Sequence, residues 1–262
     1  MDNDKSLIHV RDCWKSFPGK KAGEQVHVLE RVNLEVQAGE FVCVVGPSGC
    51  GKSTLLNIIG GFFKESQGDV KVAGEPVNGP DPRRIFVFQE NGVFPWLTVE
   101  ENIGFGLMAR PAKEREERVT HYIGMVGLKG FEKSYPRELS GGMRQRVEIA
   151  RALAADAEVL YMDEPFGALD FITRLKMRAD LIRIWQAEKK TILFVTHDIE
   201  EAVQLADRVV VMSKRPATVA EEVRVDLPRP RDLDSPGYLA ARDRIFAIMG
   251  MDVHGAGMGE LK

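Results

Sequence analysis

Three short stretches of this sequence carry residue types in the order that phosphate chemistry requires. Gly46, Pro47, Ser48, Gly49, Cys50, Gly51, Lys52, Ser53 and Thr54 fit the pattern G-x-x-x-x-G-K-[ST]. The glycines let successive backbone N–H groups turn inward around a phosphate, where a Cβ would obstruct, and a helix N-terminus behind them adds its positive end. Lys52 has the reach and charge for the β- and γ-phosphates. The Ser53 hydroxyl would complete an octahedral Mg²⁺ shell made largely of water and phosphate oxygens, with Thr54 as a further polar contact. The stretch predicts nucleotide binding but leaves the use of the nucleotide open, since kinases, GTPases, motors and transport ATPases share it. A glycine-rich turn that only joins a strand to a helix is its structural alternative.

The second stretch supplies acid. Val159-Leu160-Tyr161-Met162-Asp163-Glu164 reads as an apolar strand ending in two carboxylates. Ligands of open α/β sheets bind at the carboxyl ends of their strands, beside a phosphate loop when one is present. Asp163 suits Mg²⁺ through water, and Glu164 suits a general base for a water attacking in line with the γ-phosphate. A strand end with two solvated carboxylates is the alternative for the pair alone. The third stretch, Leu139-Ser140-Gly141-Gly142-Met143-Arg144-Gln145, sets a serine and two glycines before a helix, about twenty residues upstream of Asp163. It offers a second helix N-terminus to an anion, or a simple helix cap.

These residues need a sheet and helices to hold them. Phe41–Val45 is a continuous apolar run feeding the glycine loop, as a strand buried on both faces does, and a helix is expected from Ser53 to about Ile59. Further runs at Ile85–Phe88, Val159–Met162, Ile192–Thr196 and Val209–Met212 alternate with helical stretches, the rhythm of a parallel sheet with crossover helices. Leu7–Trp14 and Val28–Val36 alternate apolar and polar positions as half-exposed antiparallel strands do, with a polar turn at Pro18–Gln25 between them. From about Thr98 to Leu139 the pattern turns helical, with a charge-rich Lys113–Arg118 and a turn at Pro136. After it, Val219–Val225 reads as an edge strand, Pro228–Pro230 as a linker and Tyr238–Met249 as a terminal amphipathic helix. The Gly-rich tail from Gly255 is expected to be mobile. The fold expected is α/β, a P-loop NTPase core with a mostly parallel sheet, an N-terminal antiparallel β subdomain and an inserted helical subdomain. Its domain would span residues 7–230, with the helical insertion at about 98–155 and a C-terminal helix and tail at 231–262.

The bulk numbers agree with a chain of this kind. At 262 residues it can bury one substantial core, and its 44% hydrophobic and 29% charged residues are those of an ordinary globular protein. A net charge of −3 gives no broad basic field for nucleic acid. The three cysteines lack the paired spacing of a zinc site or disulfide framework, and a reducing cytosol fits them best. The acidic start, Met1 to Lys5, has no apolar segment behind it, so no secretory signal is expected. No apolar run approaches the roughly 18 residues that cross a bilayer, and any membrane role would come from a partner.

In this order and spacing, the glycine loop, Leu139–Gln145 and Asp163–Glu164 resemble the nucleotide-binding subunits of ABC transporters, whose signature reads L-S-G-G-x-x-Q. The resemblance covers about residues 7 to 225. It implies ATP and Mg²⁺ as cofactors and ATP hydrolysis as the activity. It also implies roles for single residues. Gln89 resembles the glutamine that contacts Mg²⁺ and the attacking water and links the site to the membrane partner, although alone it is a polar strand terminus. Asp170, in Ala168-Leu169-Asp170, resembles the residue that touches the opposite subunit, or is a helix N-cap. His197 resembles the switch histidine that hydrogen-bonds the γ-phosphate, though a lone histidine at a strand end is more often structural. Phe17, after the first strand, matches an aromatic that stacks on adenine, and is equally suited to a core.

The resemblance further implies a head-to-tail dimer, with ATP between Lys52 of one copy and Ser140, Gly141 and Gly142 of the other. Phe88 to Val99 and Val225 to Arg231 are similar to the nitrate, sulfonate and taurine importer group. That group implies membrane permease subunits, a separate substrate-binding protein, a peripheral place on the cytoplasmic face of the inner membrane, and no nucleic acid. A non-transport ABC ATPase acting on nucleic acid or ribosomes is the alternative; such chains usually carry tandem ATPase domains or long coiled-coil insertions, and this one has neither. A GTPase is disfavoured because no N-K-x-D segment is found.

Overall fold

Continuous apolar runs become strands wherever the sequence places them. The computed structural model describes residues 6–21, 23–88, 92–167 and 169–251. Gln89, Ala168 and the tail from Gly255 therefore lie outside the described residues. The chain divides into two compact units, one of residues 1–79 with 195–262 and one of residues 80–194.

In the first unit, β1 (Ser6–Pro18) and β2 (Gln25–Gln37) form a long antiparallel hairpin. β2 buries Val32, Leu34 and Val36 while Arg31, Asn33 and Glu35 face water, so its period of two sets one face to the core. Both strands outrun the expected ranges. Ser16, Phe17 and Pro18 still pair with His27, Val26 and Gln25, and Gly19 N–H donates to Glu24 O (2.7 Å) to close the turn. Phe17 thus lies within the strand, not after it. A third strand, β4 (Gln67–Val72), pairs with β1 and carries the short β5 (Glu75–Pro76) on its other side. Gly68 must be glycine: its φ is +100°, and a Cβ would stand 2.3 Å from Asp12 O.

The same unit holds β3 (Phe41–Val45) parallel to β9 (Arg208–Met212), with β10 (Val219–Arg224) antiparallel on β9. Every residue of β3 and β9 is buried, as expected of strands covered on both faces. α1 (Lys52–Ile59) follows β3 through the glycine loop, α6 (Ile199–Leu205) precedes β9, and α7 (Pro236–Ile248) packs on α6 through Tyr238, whose hydroxyl donates to Glu200 O (3.0 Å). Arg208 is 8% exposed and reaches Glu40 through two hydrogen bonds and Glu222 through a third, a satisfied buried charge at the foot of β9. The expected linker at Pro228–Pro230 is anchored instead. Arg229 donates to Asp207 Oδ1 (2.8 Å) and Leu205 O (2.7 Å), and Arg231 to Val203 O (2.5 Å) and Val225 O (2.8 Å). Cys13, Cys43 and Cys50 are buried and unbonded to one another, and burial pushes the Cys13 thiol up to about 12.

In the second unit, β6 (Arg84–Val87) pairs in parallel with β7 (Val159–Asp163), and β8 (Thr191–Val195) flanks β7 on the other side. Between β6 and β7 the chain is helical: α2 (Val99–Gly104), α3 (Ala112–Met125) and α4 (Gly141–Ala154), with single 3₁₀ turns at Phe105–Leu107 and Pro136–Glu138. α5 (Phe171–Glu188) connects β7 to β8. α2 begins with a reciprocal capping box, Thr98 Oγ1 accepting from Glu101 N and Glu101 Oε2 from Thr98 N.

Candidate functional site

The glycine loop joins the buried end of β3 to the N-terminus of α1, and its glycines are placed for different reasons. Gly51 has φ +123°, and a Cβ there would stand 2.9 Å from both Leu29 and Val28 of β2, so the loop lies tight beneath the hairpin. Gly49 has φ +70° with nothing within 4 Å of where its Cβ would point, an open cradle beside exposed Ser48. α1 begins with no side-chain cap at Gly51, so its first N–H groups are not answered by a capping side chain. Lys52 is 7% exposed, and its ammonium donates to Gly46 O (2.9 Å) and Pro47 O (3.1 Å). Ser53 and Thr54 sit half-buried in the first turn of α1, and Cys50 is buried with its N–H donating to Pro47 O.

His197 belongs to the same unit. Thr196 N–H donates to Val44 O (3.2 Å), which hangs the turn after β8 on the strand that carries the loop. Thr196 Oγ1 accepts from Asp198 N (3.0 Å) and donates to Glu201 Oε2 (2.5 Å), and Asp198 caps α6 by accepting from Glu201 N (3.0 Å). His197 is exposed at the apex of this braced turn. The Thr-x-Asp-x-x-Glu spacing that builds it went unread in the sequence, although it is a helix-capping pattern. Phe17 is half-buried and meets Phe63 edge-on, ring centres 5.7 Å apart, with the Lys15 ammonium 4.9 Å from the Phe17 ring centre.

In the second unit, β7 delivers Asp163, 6% exposed, at its last position. Glu164 follows in the left-handed region at φ +47°, a conformation that costs a non-glycine residue on the order of 1 kcal/mol and clusters at functional sites. Gly167 N–H returns to Glu164 O (3.0 Å), closing a turn after the strand. Asp170 is the N-cap of α5, accepting from Thr173 N (3.0 Å), and hydrogen bonding to the Thr173 side chain, then to its backbone N–H, holds the carboxyl below the usual carboxylate range. The capping alternative for Asp170 is therefore realised. Ser140 likewise caps α4, accepting from Met143 N (3.2 Å), and is exposed, with Gly141 and Gly142 opening the helix behind it. Arg144 donates to Leu139 O (2.5 Å), fixing the entry to the cap.

Three polar side chains that sequence reasoning passed over, Asn102 and Glu148 buried and Arg151 half-buried, organise the stretch after β6. Asn102 is fully buried; its Oδ1 accepts from Phe94 N (2.8 Å), and its Nδ2 donates to the carbonyls of Phe94, Leu97 and Thr98. Glu148 and Arg151 of α4 hold Gly92. Exposed Trp96, Phe105 and Met108 line an open groove of about 870 Å³ with Leu97, Arg115 and Val119. Among the described residues, no group of three His, Cys, Asp or Glu side chains is placed to hold a metal ion. The Ser53 hydroxyl and the Asp163 carboxylate, in separate units, are each hard oxygen donors of the kind Mg²⁺ takes.

A phosphate loop between a fully buried parallel strand and a helix N-terminus defines a P-loop NTPase. Residues 29–167 match the ABC transporter family, and the chain belongs to it. An ABC transporter ATP-binding protein of Methanocaldococcus jannaschii is 50% identical over 254 residues, covering 96% of this chain and 94% of that one. The aliphatic sulfonates import ATP-binding protein SsuB of Bacillus cereus is 47% identical over 239 residues, 91% of this chain and 94% of its own. Among solved structures, a dimeric ATP-binding cassette in a post-hydrolysis state, bound to ADP and Pi, matches with a TM-score of 0.75 at 34% identity, covering 84% of this chain and 99% of that one. The chain is an ATP-binding, ATP-hydrolysing cassette. No described helix is long and apolar enough to cross a membrane.

Proposed function

We propose that the chain is the ATPase subunit of an importer for a small anion of the nitrate, sulfonate or taurine kind, working as a head-to-tail pair of copies on permease subunits at the cytoplasmic face of the inner membrane. The observation that carries this reading is the contrast between two helix N-termini: α1 opens at Gly51 with no side-chain cap, whereas α4 opens on the exposed cap Ser140. Each suits one side of a triphosphate. In this reading the ATP phosphates lie on Gly46 to Thr54 of one copy and on Ser140, Gly141 and Gly142 of the other, and adenine stacks on Phe17. Lys52 gives up its loop carbonyls for the β- and γ-phosphates. Glu164 takes the proton of the attacking water, His197 and Gln89 hold the γ-phosphate and water in place, and Asp170 meets the opposite copy. Mg²⁺, with Ser53, Asp163 and Gln89 as its protein ligands, would offset phosphate charge.

The sulfonate name of the Bacillus cereus relative supports the cargo class, and the groove lined by Trp96, Phe105 and Met108 is the proposed seat of the permease. A substrate-binding protein would choose the anion, so this chain would not touch it. Within the chain, residues 7–230 form the proposed ATPase domain, with its helical subdomain at about 98–155 and the C-terminal helix and tail at 231–262. The test is ATP-dependent uptake of an alkanesulfonate by proteoliposomes carrying the chain and its permease, with binding protein added. Glu164→Gln should still bind ATP, lose turnover by about 10²-fold or more and stop uptake. Near-parent hydrolysis by that variant would remove Glu164 as the base, and uptake of no sulfonate, taurine or nitrate would remove the cargo assignment.

A further inference from the structure

Glu148 is a carboxylate where a helix of this kind should be apolar. It is fully buried on α4, among Gln145, Val147, Ile149 and Ala152, all of them also buried. Its two oxygens are used separately: Oε1 accepts from Phe88 N (3.0 Å) and Oε2 from Gly92 N (2.8 Å). Those N–H groups flank the segment that contains Gln89. Burial raises the carboxyl's pKa, against the lowering pull of the two N–H donors and the Arg151 charge. Two donors facing two oxygens call for the ionised form. One helical turn on, Arg151 donates to Gly92 O (2.8 Å) and lies over the Phe94 ring at 4.5 Å. Gly92 has no room for a side chain, because a Cβ would stand 2.6 Å from Glu148 Oε1. A buried charge costs several kcal/mol unless it is fully paired, so its place here calls for a task beyond packing.

We propose that Glu148, backed by Arg151, is a positioning residue for ATP hydrolysis: it fastens Phe88 and Gly92, the described residues on either side of Gln89 in the sequence, to the helix that Ser140 caps. The inference rests on the reading of Gln89 as acting at the γ-phosphate. Signature contact made at Ser140 would thereby be felt at the ends of the glutamine segment without a separate relay.

The test is a double-mutant cycle on the full chain, reading kcat, KM for ATP and the thermal unfolding midpoint for the parent, Glu148→Gln, Gln89→Ala and the double variant. Glu148→Gln keeps the shape but faces one N–H with an amide NH₂. It should lower kcat about tenfold while KM stays within about twofold, as expected of a misplaced group rather than a lost binding contact. In the Gln89→Ala background the same change should cost less than about twofold, because its route is gone. An equal loss in both backgrounds, or parent-like kcat for Glu148→Gln beside a crippled Gln89→Ala, overturns the clamp alone. Parent-like kcat for Gln89→Ala overturns the reading of Gln89 and the clamp with it. Should Glu148→Gln fail to fold, Gly92→Ala carries the test: its methyl displaces the carboxylate from the segment, and an unchanged kcat overturns the proposal.

Discussion

Lys52 shows how a single residue links the sequence pattern to the chemistry. Its ammonium spans Gly46 O and Pro47 O within the loop it will serve, so the loop is braced by the same charge that later meets phosphate. Removing it deletes a charge-assisted contact, which is worth about 2 kcal/mol, or roughly a 30-fold weaker Kd for ATP. Titration of Lys52→Ala with a fluorescent ATP analogue checks this, and parent-like affinity would contradict the assignment of the loop. Glu164 adds a cue that no pattern of residue types carries. Its φ of +47° is a backbone strain that the sequence could not disclose, and the turn closed by Gly167 N–H maintains it.

Among the elements, β3, β7, β8 and β9 were legible because each is a run of apolar residues buried throughout, and such runs look alike in sequence and in the fold. β4 was not legible. Gln67-Gly68-Asp69-Val70-Lys71-Val72 holds a glycine and an aspartate that argue against a strand, and only pairing with β1 makes it one. The polar supports of the site were missed for a related reason: Asn102, Glu148 and Arg151 act on loop backbone, which leaves no periodic trace. The one available signal was a glutamate on the buried face of α4. Ser140 and Asp170 were legible as caps and as family residues at once, and the structure gives each a capping bond. The Asp170 cap predicts a pH dependence. Hydrogen bonding to the Thr173 side chain, and then to its N–H, lowers the folded-state pKa below its ordinary value of 3.8, so the stabilisation is fully present above that value and is lost as pH falls through the lowered one. Asp170→Asn keeps an acceptor that does not titrate. The difference in unfolding midpoint between the parent and Asp170→Asn should be flat from pH 7 to about 5 and move against the parent below pH 4. A difference independent of pH would show that the cap carries no charge effect.

At the scale of the whole molecule, the central claim is that one chain holds two halves belonging to different ATP sites. The glycine loop lies in one unit and the Ser140 helix in the other; in the proposed arrangement the loop works with Glu164 of its own copy and with the Ser140 helix of the second. The dimeric state of the matched cassette bound to ADP and Pi supports a second copy as the source of the missing half. No described helix is long and apolar enough to cross a membrane; in the proposed reading the permease subunits seat the pair there. The most direct measurement mixes two inactive variants, Lys52→Ala and Ser140→Arg, and follows steady-state ATPase activity. A mixed pair has one site whose loop and signature are both damaged and one in which both are intact. Equal mixing should therefore restore activity to about a quarter of the parent, since half the pairs are mixed and each has one working site. If the mixture stays as inactive as its components, while both variants still dimerise, the loop and the Ser140 helix serve the same copy and the shared-site account is wrong.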